Sequence, residues 1–228
     1  MSKKINTKIM KNLMLMLVFI ASSLIIYSQE TNETITDIDG NVYKTIKIGT
    51  QTWMLENLKT TKYNSGAPIQ KLMDVEKWQF DISGAYAWYN DDESNKDIYG
   101  ALYNWAAVKK GNLAPKGWHI PSIEEWQVMI DFLGGEKIAG GKLKDLGTDF
   151  WDSPNKGADN SSGFKAVATG CKSKEGSYLL VGNRSLFWSS TSSNLLQAKS
   201  ITLIFNSPKA SVFATSKNYG CAIRCIKD

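Results

Sequence analysis

Between residues 115 and 135 the chain reads PKGWHIPSIEEWQVMIDFLGG, a block that holds a turn, a short apolar strand and a capped helix. Ser122 and Glu125 stand three apart at the helix start, as in a capping box, where each side chain takes up the other residue's free backbone N–H. Behind them Trp126, Met129, Ile130 and Leu133 recur at i, i+3, i+4 and i+7, which makes one apolar helix face. Gly134-Gly135 ends it. The pattern predicts a helix over 122–133.

Working outward, the residues on the N-terminal side predict strands. Asp39-Gly40 is a tight-turn pair between Thr34–Ile38 and Val42–Ile48, and Gly49 precedes a third strand over Gln51–Leu58. Residues 59–97 read as a long polar loop carrying Trp78, Phe80, Tyr86, Trp88 and Tyr89. A short helix is predicted over Tyr99–Val108. On the C-terminal side a second short helix is predicted around Glu136–Leu146, interrupted by Gly140-Gly141. Short β-like runs then follow: Gly163–Thr169, Ser177–Val181, Ser185–Ser190, Ala198–Phe205, Ala210–Ala214 and Cys221–Ile226. Strands, helices, then strands with regular turns predict an α+β domain with an antiparallel sheet.

The first 28 residues read as a secretory signal peptide. Lys3, Lys4, Lys8 and Lys11 precede the fifteen-residue apolar run Leu13–Tyr27, short of the ~20 residues a lasting membrane anchor needs. Ser28 offers a small residue for cleavage; Ile26 is an unusual partner for it, so a retained N-terminal tether is the alternative. Residues 29–35 are expected to be a flexible segment and 36–228 a single domain. Export places the domain outside the cytoplasm: secreted, periplasmic or at the cell surface. The membrane is then a partner only through an uncleaved leader. Four of the 27 Lys and Arg lie in that leader, leaving 23 against 22 Asp and Glu. A near-neutral mature domain has no electrostatic footprint for nucleic acid.

Seven blocks, DIDGNVYKTIKIGTQTWMLENLKTTKYNSG, YGALYNWAA, PKGWHIPSIEEW, AGGKLK, GADNSSGF, FWSST and YGCAIRCIKD, occur in this order. Together they resemble the Fibrobacter succinogenes major paralogous domain family, exported bacterial domains without an established activity. More distantly, HIPSIEEW and the closing GxxxRC strand resemble the C-type-lectin-like and formylglycine-generating-enzyme fold. That resemblance implies small antiparallel or mixed sheets, two flanking helices, long irregular loops, and first and last strands near each other. The family's usual cysteine before the PKGWH block is Ala114 here. If that cysteine ordinarily pairs with Cys225, the resemblance implies a substitute disulfide between Cys171 and Cys221. The oxidase chemistry of the distant relatives does not transfer, because Cys171, Cys221 and Cys225 lie outside the matching context.

Candidate chemistry is sparse. His119 is the only histidine, which leaves no second member for a histidine dyad or a multi-histidine metal site; it reads as structural. Glu124 and Glu125 diverge by ~100° on a helix, so they make a poor acid–base pair. Asp37-Ile38-Asp39-Gly40-Asn41 echoes a calcium loop, but the twelfth position is Ile48 rather than a carboxylate. Ser189, Ser190 and Thr191 have no nucleophile-elbow context. Asp91, Asp92, Glu93 and Asp97 are the best metal candidates, since clustered carboxylates suit a hard cation such as calcium. Trp78, Trp88 and Trp188 are the candidate ligand-binding residues, because exposed indoles stack on sugar rings; the alternative is that such aromatics roof the sheet. These features predict an exported, non-enzymatic binding or adhesion module for an extracellular glycan or protein. A polymer-acting hydrolase and a structural subunit of a surface assembly are the alternatives.

Overall fold

The computed structural model describes residues 33–228; the signal peptide and the first residues of the expected flexible segment lie outside them. Among these described residues, thirteen strands and five helices follow in order. They are β1 (Thr34–Thr36), β2 (Val42–Ile48), β3 (Gln51–Met54), β4 (Gln70–Lys71), α1 (Val75–Phe80), β5 (Ala85–Ala87), α2 (Lys96–Tyr99), β6 (Leu102–Tyr103) and α3 (Trp105–Lys109). Then come β7 (Trp118–His119), α4 (Ile123–Phe132), α5 (Glu136–Leu143), β8 (Thr169–Lys172), β9 (Tyr178–Val181), β10 (Arg184–Ser192), β11 (Gln197–Ile204), β12 (Ala210–Ser216) and β13 (Ile226–Lys227). Two short 3-10 turns sit between β5 and α2. The class is mixed α/β with strands dominant.

The strands form three sheets: β1-β2-β3-β13-β7, β12-β11-β10-β8-β9, and the small β4-β5-β6. Most pairs are antiparallel, as expected, but β8 runs parallel to β10 and β4 to β5. The last strand joins the first sheet beside β3, with β2 and β3 between it and β1. Thr34 and Ile35 belong to β1 and pair with Lys44 and Tyr43, so the expected flexible segment ends before them. Pairing to a neighbouring strand outweighs the polar composition there.

Residues 220–227 stitch the sheets together. Gly220 pairs with Lys172, Cys221 with Tyr103, and Ala222 with Phe187. Ile223 and Cys225 accept the backbone N–H groups of Leu58 and Met54, and Ile226 pairs with Trp53 and His119. This segment touches all three sheets. It forms regular strand only at its end, because its partners change at almost every residue.

The helix over 122–133 is present, with both hydrogen bonds of its capping box. Trp126, Met129 and Ile130 are buried in a cluster with Trp53, Phe164 and Phe187. The predicted helix over Tyr99–Val108 is split. Gly100 takes φ +71° and a Cβ there would stand 2.6 Å from Asn57 Cβ. Asn104 then caps a new helix by accepting from the Ala107 N–H. In α5 the Gly140-Gly141 pair is retained inside the helix. Added Cβ atoms would lie 2.0 Å from the Lys209 carbonyl oxygen and 2.1 Å from that of Gly157, so backbone contact accounts for both glycines.

Candidate functional site: an apolar groove between two pinned loops

The sequence-predicted site residues have structural duties. Trp78, Trp88 and Trp188 are all buried and offer no face to a ligand. Trp78 lies under Lys172, with the ammonium 4.8 Å from its ring. Trp88 packs edge-on to Tyr86 at 5.0 Å, and Trp188 Nε1 donates to the Tyr103 carbonyl at 2.7 Å. The aromatics roof the core, which corrects the ligand-binding expectation.

The four acids are likewise dispersed. Asp91 accepts from the Tyr178 hydroxyl and lies 3.5 Å from the buried Lys172 ammonium. Asp92 caps the following turn through the Ser94 N–H at 2.9 Å. Asp97 pairs with Lys59 at 2.6 Å. Glu93 is exposed. Among the described residues there is no group of three or more acids, histidines or cysteines that could hold a metal ion. The structure therefore does not bring Asp91, Asp92, Glu93 and Asp97 together as a calcium site.

The candidate nucleophiles and bases are engaged too. His119 meets Asp228 through Nδ1 at 2.7 Å and Glu125 through Nε2 at 2.8 Å, so neither ring nitrogen is free. Burial disfavours its charged form, but the hydrogen bonds and charges of Asp228 and Glu125 outweigh that and raise its pKa. Ser189 Oγ donates to the Lys199 carbonyl at 2.8 Å, and Thr191 Oγ1 accepts from the Ile123 N–H at 3.0 Å. Cys171, Cys221 and Cys225 are buried free thiols, so the Cys171–Cys221 bridge is not formed in this structure.

What the structure does present is a groove of about 430 Å³ lined by Phe80, Ile82, Trp105, Lys109, Leu195 and Leu196, among others. Its four outer apolar side chains are strongly exposed: Phe80 by 72%, Ile82 by 92%, Leu195 by 88% and Leu196 by 72%. Single exposed apolar residues are ordinary, whereas a contiguous group rimming a concavity marks a binding surface.

One wall is built from α1 and the turn after it. Asp74 caps α1 by accepting from the Lys77 N–H, and buried Trp78 anchors the helix so that Phe80 faces outward. Asp81 then accepts from Ser83 N–H and Oγ, Gly84 N–H and Asn104 Nδ2. Burial raises the Asp81 pKa and these four bonds more than offset it, so the net direction is downward. The carboxylate is ionised and fully occupied, and it locks the loop that projects Ile82. A Cβ on Gly84, at φ +95°, would lie 2.2 Å from the Tyr63 hydroxyl.

The other wall is the loop joining β10 to β11. Asn194 Oδ1 accepts from both Leu196 N–H and Gln197 N–H at 2.9 Å. The Lys217 ammonium bonds to Ser192 Oγ at 2.9 Å and to the Asn194 carbonyl at 2.7 Å. It also stands 4.3 Å over the Trp105 ring, which forms the floor. Asn218, just after β12, donates from Nδ2 to the Gln79 carbonyl and ties α1 to the end of that strand. Both loops are thus braced by internal hydrogen bonds while holding large apolar tips in water. Lys109 is exposed at the rim, and no ion pair or hydrogen bond of its side chain occurs among the described residues.

The groove was missed because its four apolar residues have no periodic pattern. Ile82 sits in a polar run, and Leu195-Leu196 fall in the gap between the predicted strands ending at Ser190 and starting at Ala198. The available signal was compositional: two adjacent leucines at the tip of a hairpin, where polar turn residues are the rule.

Fold and groove together define a mixed α/β domain that displays an apolar cleft between two braced loops. The chain belongs to the Fibrobacter succinogenes major domain family, whose model matches residues 46–227. No curated protein and no solved structure matches it.

Proposed function

We propose that this is an exported binding or adhesion module of the bacterial surface, and that its ligand is a protein segment taken into the groove between α1 and the β10–β11 loop. The observation that carries the reading is the set of Phe80, Ile82, Leu195 and Leu196, exposed together on loops braced by internal hydrogen bonds. Burying such side chains on binding is worth about 25 cal/mol per Å² of apolar surface, and pinned loops lose little entropy when they do so. Lys109 is exposed at the rim, unpaired among the described residues, and offers a positive charge, whereas Lys217 and Asp81 are both engaged in hydrogen bonds within the walls. The matching ligand is therefore an extended peptide with apolar anchors flanked by carboxylates. A glycan is the weaker fit, since the buried tryptophans give no stacking platform.

Export is the part of the proposal supported by the lysine-led apolar leader. A C-type-lectin-like fold is its structural part, supported by a closing segment placed centrally among the sheets.

Selection of a random peptide display library against the mature domain tests the groove. Enriched peptides should combine apolar and acidic residues and should bind the Ile82→Asp/Leu195→Asp variant at least tenfold more weakly. Equal enrichment on that variant, or binding to a glycan array in place of peptides, would overturn the reading.

A further inference from the structure

We propose that Cys171 and Cys221 form a built cross-strand disulfide site, oxidised as the chain folds by a thiol–disulfide oxidoreductase in its disulfide form. The proposal is independent of the groove; only the source of the oxidant in the cell rests on export.

The register carries the argument. Lys172 and Gly220 exchange both backbone hydrogen bonds, at 3.0 and 2.7 Å, in an antiparallel bridge. The bridge is isolated, and extending its register by one residue sets Cys171 opposite Cys221, with no hydrogen bond between their backbones. Both cysteines use their backbones on their other edges. Cys221 exchanges two 3.0 Å bonds with Tyr103, and Cys171 is in register with Leu179 of β9. In a non-hydrogen-bonded antiparallel pair the Cα atoms stand about 4.5 Å apart, and the opposed side chains project from one face. Disulfides span Cα separations of about 4.4–6.8 Å. All three thiols lie in one buried cluster, so the register is what selects this pair; the neighbouring Lys172 turns the other way, onto Trp78.

Cys225 is excluded by its place. Its carbonyl accepts from the Met54 N–H, beside β3 rather than β8, and Asp37, not a cysteine, is the charge that bears on it. It remains a thiol.

The chemistry balances with the donor disulfide as oxidant. One cysteine thiolate attacks a donor sulfur, giving a mixed disulfide and releasing a donor thiolate. The second thiolate then attacks the protein sulfur of that mixed bond. The donor leaves as a dithiol, having taken two electrons and, by way of solvent, the two cysteine protons. Burial raises the pKa of Cys171 to about 11 and pushes that of Cys221 well above its ordinary value, with Cys171 adding to the effect on its partner. Thiols so shielded react before the sheet closes over them, which is why oxidation accompanies folding.

The test uses the full chain, refolded from denaturant in a glutathione redox buffer, quenched with iodoacetamide, digested and read by mass spectrometry. The expected product links the Cys171 and Cys221 peptides and carries an alkylated Cys225. The Cys225→Ser variant should still form the link. Oxidised protein should melt roughly 10 °C above the same protein treated with dithiothreitol. Three alkylated cysteines after refolding, or a link that includes Cys225, overturns the assignment. A bridge formed in the redox buffer but absent from protein isolated from cells keeps the pairing and defeats the export reading instead.

Discussion

The closing segment 220–227 and the β10–β11 loop 193–196 use their side chains in opposite ways. In the first, Cys221, Ala222, Ile223, Arg224 and Cys225 are all buried, and nearly every backbone group is traded with a different strand. In the second, the polar atoms are spent on holding the loop's shape, and Leu195 and Leu196 stand in water. Where every group is already engaged, substitution should be felt as lost stability. Where the backbone alone is engaged, the side chains are free for a partner, and substitution should be felt as lost binding.

The largest expected effect is at Arg224. Its guanidinium is fully buried and donates to Asn57 Oδ1 at 2.7 Å and to the carbonyls of Met54, Phe164 and Lys165. It also stacks 4.4 Å from the Phe164 ring. Burial lowers its pKa, yet a guanidinium stays charged in proteins; the carbonyls are what make it tolerable. Arg224→Met should cost about 3–5 kcal/mol in denaturant melts, because it leaves buried acceptors without donors. A cost under ~1 kcal/mol would show that the closing segment is not the seam described above.

Gly220→Ala should come next, at about 1–3 kcal/mol. Its Cβ would stand 2.9 Å from Trp78 Cζ2 and 3.1 Å from Lys172 Cβ, both packed on their far sides. Because Trp78 anchors α1, the variant should also weaken peptide binding at the groove. Unchanged thermal stability would mean that Trp78 has room to move.

A smaller, pH-dependent effect is expected at His119. Its pKa is raised in the folded state, so the stability it adds is full below the ordinary value of ~6.5 and is lost as pH rises through the folded value. The melting difference between wild type and His119→Gln should therefore shrink from pH ~6 to pH ~9. The partly exposed site limits the effect to under ~1 kcal/mol. A difference that grows with pH would reverse the assignment.

The contrast also explains what could be read from sequence. The helix over 122–133 was legible because its signals are local: a cap, a period and a glycine stop. The β-hairpin at Asp39-Gly40 was legible for the same reason. Asp37 accepts from the Asp39 and Asn41 N–H groups at 2.9 Å and from Tyr43 Oη at 2.6 Å, all within seven residues. The split at Gly100 was hidden because its cause, Asn57, lies 43 positions away. Asp91 read as a metal candidate because Tyr178 and Lys172, which engage its carboxylate, are more than 80 residues distant. The groove was illegible for a further reason: it is made by two loops, and neither has a pattern that a fold requires.

The smallest stability effect, and the sharpest use of the contrast, is expected at the groove itself. Ile82→Ser and Leu195→Ser remove side chains that are about nine-tenths exposed, so little buried surface is lost and each should shift stability by no more than ~0.5 kcal/mol. Their backbones keep the bonds that set the loops, since those run through Asp81 and Asn194 rather than through the substituted residues. Asn194→Ala is the control that separates the two roles. It deletes the acceptor of the Leu196 and Gln197 N–H groups and should cost about 1 kcal/mol while leaving the leucines in place. If binding falls with Leu195→Ser but only modestly with Asn194→Ala, the apolar tips are the contact and the loop is their mount. If Leu195→Ser instead destabilises the domain as much as Gly220→Ala, the leucines belong to the fold and the groove has no claim to a ligand.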